Sequence, residues 1–305
     1  MDTRQLGHDN PITIPVVGLG CNAFGRRIDE ARSRSVIDGA IEAGVTFFDT
    51  AESYGNGLSE EYIGRAIKGR RDKVIIATKF GWGGLHAGKS HGTRENMRAA
   101  LDQSLRKLQT DFVELYQLHK PDSACPAEET LHGLEELVRE GRVRFYGCSN
   151  FSADQMDEAV SIAKRDGLAG FVTAQNPWSV MDRCIEDGLV PVCEANGIGI
   201  LPYYPLARGL LTGKYRRGEA APEGARLGDN AASAAEFDIL EKLETYAADH
   251  GHDLLTLGIS WLASQPVTAC VISGATRPEQ VAANAAASVW VMTEDELAEI
   301  DRIVS

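Results

Sequence analysis

The stretch "GVTFFDTAESYGNGLSEEYIGRAI", Gly44 to Ile67, decides how the rest of the chain is read. A glycine leads into Val45, Thr46 and two aromatics, the composition of a buried strand. The strand then ends on a carboxylate, Asp49, a phenol follows at Tyr54, and a helical segment comes next. One strand, one polar loop and one helix form a unit. Strands buried on both faces belong to parallel sheets covered by helices.

The unit recurs along the chain. After an N-terminal hairpin in "RQLGHDNPITIPV", the β-rich runs are "VVGLG", "GVTFFDT", "KVIIATK", "FVELYQLH", "VRFYGCS", "GFVTAQ", "GIGILPYY" and "TACVISG". Between them lie stretches of helical spacing, such as Val36, Ile37, Ala40 and Ile41, or Leu131, Leu134, Leu137 and Val138. Ser152 with Gln155, and Thr293 with Glu296, fit the capping-box pattern of a helix start. Eight βα units in 305 residues without a linker predict an α/β fold, a (β/α)8 TIM barrel with an N-terminal β-hairpin, as a single domain over residues 1–305.

The rival is a doubly wound dinucleotide fold, because "GLGCNA" from Gly18 matches G-x-G-x-x-[GA]. That fingerprint must open a helix directly, whereas here the helical pattern starts only near Glu30, after "FGRRID". Two connections are long for a barrel, residues 80–92 and residues 206 to about 235. Loops of that length act as lids or ligand clasps.

A net charge of −13 argues against a nucleic acid or an anionic membrane surface as main partner, since both need a positive field. A small molecule is the expected partner, to a monomer or weak homo-oligomer. The sequence has neither a membrane-length apolar run nor the blocks of a signal peptide, so a cytoplasmic location is expected. Six cysteines without CxxC spacing read as reduced thiols, neither disulfides nor a metal site.

Catalytic groups of a barrel sit where strands end and βα loops begin. The second strand ends on Asp49, the third on Lys79 and the fourth on His119, with Tyr54 on the loop just past the second. These four suggest proton transfer to a carbonyl oxygen. A free tyrosine, with a pKa near 10, is too weak an acid for neutral pH, and an adjacent ammonium is expected to lower it. Asp49 would hold Lys79 charged, and His119 would polarise or orient the carbonyl.

At this point the chain resembles the aldo-keto reductases over nearly its whole length. The resemblance rests on the opening stretch, "ATKFG", "LYQLHKPD", "GRVRFYGCSN", "AQNPWS", "PLARGLLTGKY" and "SGATRPEQVAAN", in that order. It implies a (β/α)8 barrel that binds a nicotinamide cofactor in extended form, without a Rossmann domain, and transfers hydride to an aldehyde or ketone; Arg277 at the start of the last helix points to NADP(H). The family's tetrad falls on Asp49, Tyr54, Lys79 and His119, with Tyr54 the acid. Ser149, Asn150 and Gln175 match the carboxamide ligands, and Tyr203, with Tyr204 as competitor, the ring that stacks on the nicotinamide. Leu206, Arg208, Gly209 and Lys214 match the pyrophosphate clasp. Gly274, Thr276, Arg277, Gln280 and Asn284 match the adenosine and 2′-phosphate segment. Cys21, Asn22 and Asp49 complete the cofactor set. Ala283 stands where many members carry an acidic residue that contacts the adenine amine.

Phe24, Trp82 and Trp178, which follow strands one, three and six, are expected to wall the substrate pocket beside Tyr54 and His119. The leading expectation is therefore an NADPH-dependent reductase of small carbonyls or open-chain sugars. Other expectations are a sugar or polyol dehydrogenase, a slow regulatory subunit like the potassium-channel β subunits, and a Schiff-base aldolase with Lys79 as nucleophile. Asp49 beside Lys79 would keep that amine protonated, the wrong state for an aldolase.

Overall fold

The computed structural model describes residues 1–7, 10–82, 90–221, 227 and 232–305. Strands β1 (Thr3–Leu6) and β2 (Ile12–Pro15) form the expected antiparallel hairpin, with Leu6 opposite Ile12. Eight strands follow, all parallel: β3 (Val17–Gly20), β4 (Phe47–Asp49), β5 (Ile75–Phe80), β6 (Val113–Leu118), β7 (Val143–Ser149), β8 (Thr173–Gln175), β9 (Gly199–Ile200) and β10 (Val271–Gly274). Their order is β10-β3-β4-β5-β6-β7-β8-β9. The two ends meet through isolated parallel bridges, Ile200 with Thr268 and Tyr203 with Ile272. Hydrogen bonds from Ile200 N to Val267 O (2.7 Å) and from Ile272 N to Pro202 O (2.9 Å) complete the ring.

Side chains alternate along each strand between the barrel interior and the surrounding helices. Phe47, Ala77, Leu115 and Phe145 point inward and share one apolar cluster with Leu6 and Ile14 of the hairpin. Phe48, Ile76, Phe80, Tyr116, Leu118 and Tyr146 point outward into the larger cluster beneath the helices. The hairpin thus stops the N-terminal end of the barrel with apolar side chains. Polar groups inside the ring are pushed to the opposite end.

The helices begin where their caps say. After β3 the chain turns through Cys21–Ile28, and the helix Glu30–Glu42 starts behind its N-cap Asp29, so "GLGCNA" opens no helix and the dinucleotide fold is excluded. Val36, Ile37 and Ala40 of that helix are buried, as are Leu131, Leu134 and Leu137 of the helix Ala127–Arg139. Both anticipated capping boxes form, at Ser152 and Thr293, and a third at Ser233 with Glu236 opens the helix Ala234–Asp249. Much of the two long connections, residues 83–89, 222–226 and 228–231, lies outside the described residues, as do residues 8–9 of the hairpin turn. Among the described residues no helix is long and apolar enough to cross a membrane.

Close packing of the outer layer depends on Gly64 of the helix Leu58–Ala66. A Cβ there would collide with the backbone of Lys107 and Leu108 at the end of the helix Arg94–Leu108. Backbone cannot rotate away as a side chain can. Gly64→Ala is expected to destabilise the fold by about 1–3 kcal/mol, the usual cost of overpacking, measured by urea titration against wild type.

Candidate active site

The inward parity that buries Phe47, Ala77 and Leu115 continues up the strands, where the next inward positions are polar. Two residues above each lie Asp49, Lys79 and Gln117, and beyond Gln117 comes His119. Asp49 and Lys79, at the tops of β4 and β5, are 3% and 0% exposed. Lys79 Nζ lies 2.7 Å from Asp49 Oδ1 and donates to Oδ2 at 2.8 Å and to the Thr50 carbonyl at 2.8 Å. It also donates to Tyr54 Oη at 3.4 Å. The carboxylate that ends the strand therefore has its cation, and the second Asp49 contact comes from Gln175 Nε2 at 2.9 Å.

Tyr54 is brought back over the barrel mouth by a tight 3-10 turn in which Gly55 takes a φ of 57°. A Cβ at Gly55 would press on the Phe24 carbonyl oxygen at 2.6 Å, so the turn needs glycine on both counts. The Tyr54 ring meets His119 edge-on, with centroids 5.8 Å apart. Trp82, at the start of the loop after β5, packs against the other side of the site, 4.8 Å from the His119 ring.

Burial and charge set the protonation states. Burial pulls the Lys79 ammonium down, but Asp49 and then Tyr54 outweigh it and hold the amine charged above its ordinary range. An amine in that state is no nucleophile, which removes the support for a Schiff base. For Tyr54 the expectation is corrected. Burial raises the phenol above its ordinary value and outweighs the opposing pull of Lys79, so in this cleft it stays protonated. His119 is pushed down to about 2 by burial, with Lys79 and Lys120 adding repulsion. Its imidazole is neutral, and Nδ1 is buried with no hydrogen-bond partner among the described residues.

These groups open into a cleft of about 890 Å³ at the C-terminal end of the barrel. The strand order divides its rim. β4, β5 and β6 carry Asp49, Tyr54, Trp82 and His119, while the segments after β3, β9 and β10 bring Arg26, Arg27, Arg32, Arg208, Lys214 and Arg277 to the same cleft. Those three strands are neighbours in the ring. A chain of net charge −13 has gathered six cations along one arc. Asp49 is the one acid among the described lining residues, and it is already paired.

A family model described as the aldo/keto reductase family matches residues 16–305. The chain belongs to the aldo/keto reductase family. An aldo-keto reductase of Bacillus halodurans, solved in its holo form, superposes with a TM-score of 0.84 at 30% identity, covering 100% of this chain and 97% of that one. The glycerol dehydrogenase of Gluconobacter oxydans superposes with a TM-score of 0.85 at 29% identity, covering 99% and 95%. A probable voltage-gated potassium channel subunit beta of Arabidopsis thaliana is 34% identical over 93% of this chain and 90% of its own. For this aldo-keto reductase, family membership implies an oxidoreductase that binds a nicotinamide cofactor and acts on small carbonyl compounds or the corresponding alcohols.

Most of the residues singled out from the sequence come together in the reductase cleft. Asn22, Ser149, Asn150, Gln175, Tyr203, Leu206, Arg208, Gly209, Lys214, Gly274, Thr276, Arg277 and Gln280 line it with Asp49, Tyr54, His119 and Trp82. Asn150 ties the middle together, donating to the His119 carbonyl at 3.0 Å and accepting from Tyr203 Oη at 2.7 Å. Tyr203 is thereby fixed, whereas Tyr204, also in the cleft, is 37% exposed.

Four side chains do not lie where they were expected. Phe24 is fully buried in the core because the turn after β3 folds its ring inward. Trp178 is buried against Trp261, its indole N–H held by Glu186 at 2.9 Å. The Cys21 thiol faces the Leu19 carbonyl at 3.5 Å, and Asn284 is buried on its helix; none of the four lines the cleft. Arg26, Arg27 and Arg32 were missed. The signal was the basic doublet "RR" directly after a strand end, visible but read only as a spacer.

The buried pair yields a test of its own. Lys79→Met should cost about 3–5 kcal/mol of stability, because Asp49 is left charged and uncompensated in the barrel. Asp49→Leu with Lys79→Met should recover most of that loss while remaining inactive, as read by urea denaturation beside a turnover assay.

Proposed function

We propose that this protein is an NADPH-dependent reductase of small aldehydes, ketones or open-chain sugars, with Tyr54 as proton donor. The observation that carries the reading is one cleft with a protonated phenol against a buried ammonium on one arc and six cations on the other. The nicotinamide, when bound, supplies the hydride. Tyr54 supplies the proton from Oη to the carbonyl oxygen as negative charge develops there, and Lys79, 3.4 Å away, stabilises the phenolate that results. Asp49 keeps the ammonium charged and in place. Neutral His119 has an N–H to offer the same oxygen and carries no positive charge that would repel Lys79.

The cations fit the phosphates of a dinucleotide, and the fixed ring of Tyr203 fits a stacking surface for the nicotinamide. Ser149, Asn150 and Gln175 would hold the carboxamide. Arg277, at the N-cap of the helix Pro278–Ala286, combines a guanidinium with the positive end of that helix, the combination suited to a 2′-phosphate. Asn284 is buried outside the cleft, and its assignment to the adenosine segment is withdrawn.

A phenol held protonated is in the state that reduction needs; alcohol oxidation, its reverse, begins from the phenolate and belongs at alkaline pH. Similarity to a glycerol dehydrogenase supports polyol oxidation as that reverse reaction, and similarity to a channel β subunit supports a slower, regulatory use of the same redox site.

Tyr54→Phe should lower carbonyl turnover by roughly 10²–10⁴ while leaving NADPH affinity intact, since only the transferable proton is lost. A Phe variant reducing aldehydes near the wild-type rate, followed at the NADPH absorbance band, would defeat the assignment. Arg277→Ala should raise the dissociation constant for NADPH by about one to two decades with little effect on NADH, the loss of one charge-assisted contact. Fluorescence titration with both cofactors reads the difference, and equal losses for the two would remove Arg277 from a phosphate site.

A further inference from the structure

Glu52 lies between Asp49 and Tyr54 in sequence, yet it does not reach the cleft. It is buried, 8% exposed, behind the mouth of the barrel. Its Oε1 accepts the backbone N–H of Gly81 at 2.8 Å, and the N–H of Trp82 points at the same carboxylate. Its own N–H donates to the Lys79 carbonyl at 3.1 Å. The loop after β4 is therefore fastened to the point where the chain leaves β5, directly beneath Trp82.

Among the described residues, two side chains meet the Trp82 ring. Its side is 49% exposed, with an edge on His119 and the Lys120 ammonium 3.7 Å over its ring. Gly81 bends the chain there with a φ of 91°, and the His91 ring fills the space a Cβ would need. Backbone at such a bend is held by what its N–H groups meet.

We infer that Glu52 is the positioning residue for Trp82, and through Trp82 sets the wall against which the carbonyl substrate rests. The inference about substrate depends on the reductase reading; the anchoring of Trp82 does not.

The charged groups around Glu52 give this anchor a pH dependence. Burial raises its carboxyl to about 7; the Gly81 and Trp82 amides and Lys107 pull it down, and Glu60 pushes it up. The Tyr116 phenol also faces it, and the His91 ring is a neighbour at Gly81. Above pH 7 the carboxylate is ionised and grips both N–H dipoles. As pH falls through that value the charge is lost and the grip weakens.

The test compares Glu52→Gln, Trp82→Ala and the double variant, with 4-nitrobenzaldehyde as probe. Glu52→Gln should raise KM roughly three- to tenfold, the scale of one weakened hydrogen bond, with kcat within about twofold. In the Trp82→Ala background it should add nothing. Independently of turnover, the Trp82 emission, taken as wild type minus Trp82→Phe, should titrate with a midpoint near 7 and become flat when Glu52 is Gln. Additive effects on KM, loss of kcat with KM unchanged, or an emission midpoint that survives Glu52→Gln would each overturn the inference. A wild type that titrates in emission but reduces no carbonyl would overturn the reductase reading and leave the anchor standing. Should Glu52→Gln fail to fold, Glu52→Asp, which keeps a titratable carboxyl but withdraws it, carries the KM comparisons, and its emission midpoint should move away from the wild-type value.

Discussion

The ion pair of Lys79 with Asp49 is the constraint on which the site depends. Two opposite charges sit inside a barrel where neither can reach water, and taking them out of solvent costs several kcal/mol for each. The cost is offset only because every donor and acceptor has a partner: both Asp49 oxygens, the Thr50 carbonyl, the Tyr54 hydroxyl and the Gln175 amide. A pair held this way contributes less to stability than an apolar layer of the same volume would. What it provides is an ammonium fixed against a phenol in a place of low dielectric, where its field is strong.

Charge works in the opposite direction at the two scales of this molecule. The whole chain carries a net charge of −13. The arc after β3, β9 and β10 gathers six cations in one cleft, and an anion that enters meets a local field opposite in sign to that of the protein. At the other arc, burial, with the Lys79 and Lys120 cations adding to it, keeps His119 neutral, so that end offers hydrogen-bond donors without a second exposed charge. On the function proposed above, the two arcs divide the labour between holding a phosphorylated ligand and handling a proton.

Much of this was legible in order along the chain. Eight β-rich runs, buried on both faces, and the helix caps at Ser152 and Thr293 are local properties, and they appear where local physics puts them. Asp49, Lys79 and His119 could be found because each lies within one residue of a strand end, although β5 runs on to Phe80 and β6 stops at Leu118. The aromatics were less legible. Phe24, Trp82 and Trp178 all follow strand ends, but one turn folds Phe24 inward and a second tryptophan, Trp261, covers Trp178 from a distant helix. Nothing within a few residues of either encodes that outcome.

The sequence by itself determined the alternation of strands and helices, the parity that aims Asp49 and Lys79 into the barrel, and the residue types available at its mouth. Tertiary structure alone decided the protonation of Tyr54, because desolvation depends on everything packed around a group, and here it outweighs the neighbouring cation. It also decided that Arg26 and Arg27, early in the chain, share a cleft with Arg208 and Arg277, since only the tertiary fold sets β3 against β10 and closes β9 onto the far side of β10. Fields and burial sum over space, and the order of residues along a chain does not contain those distances until the barrel closes.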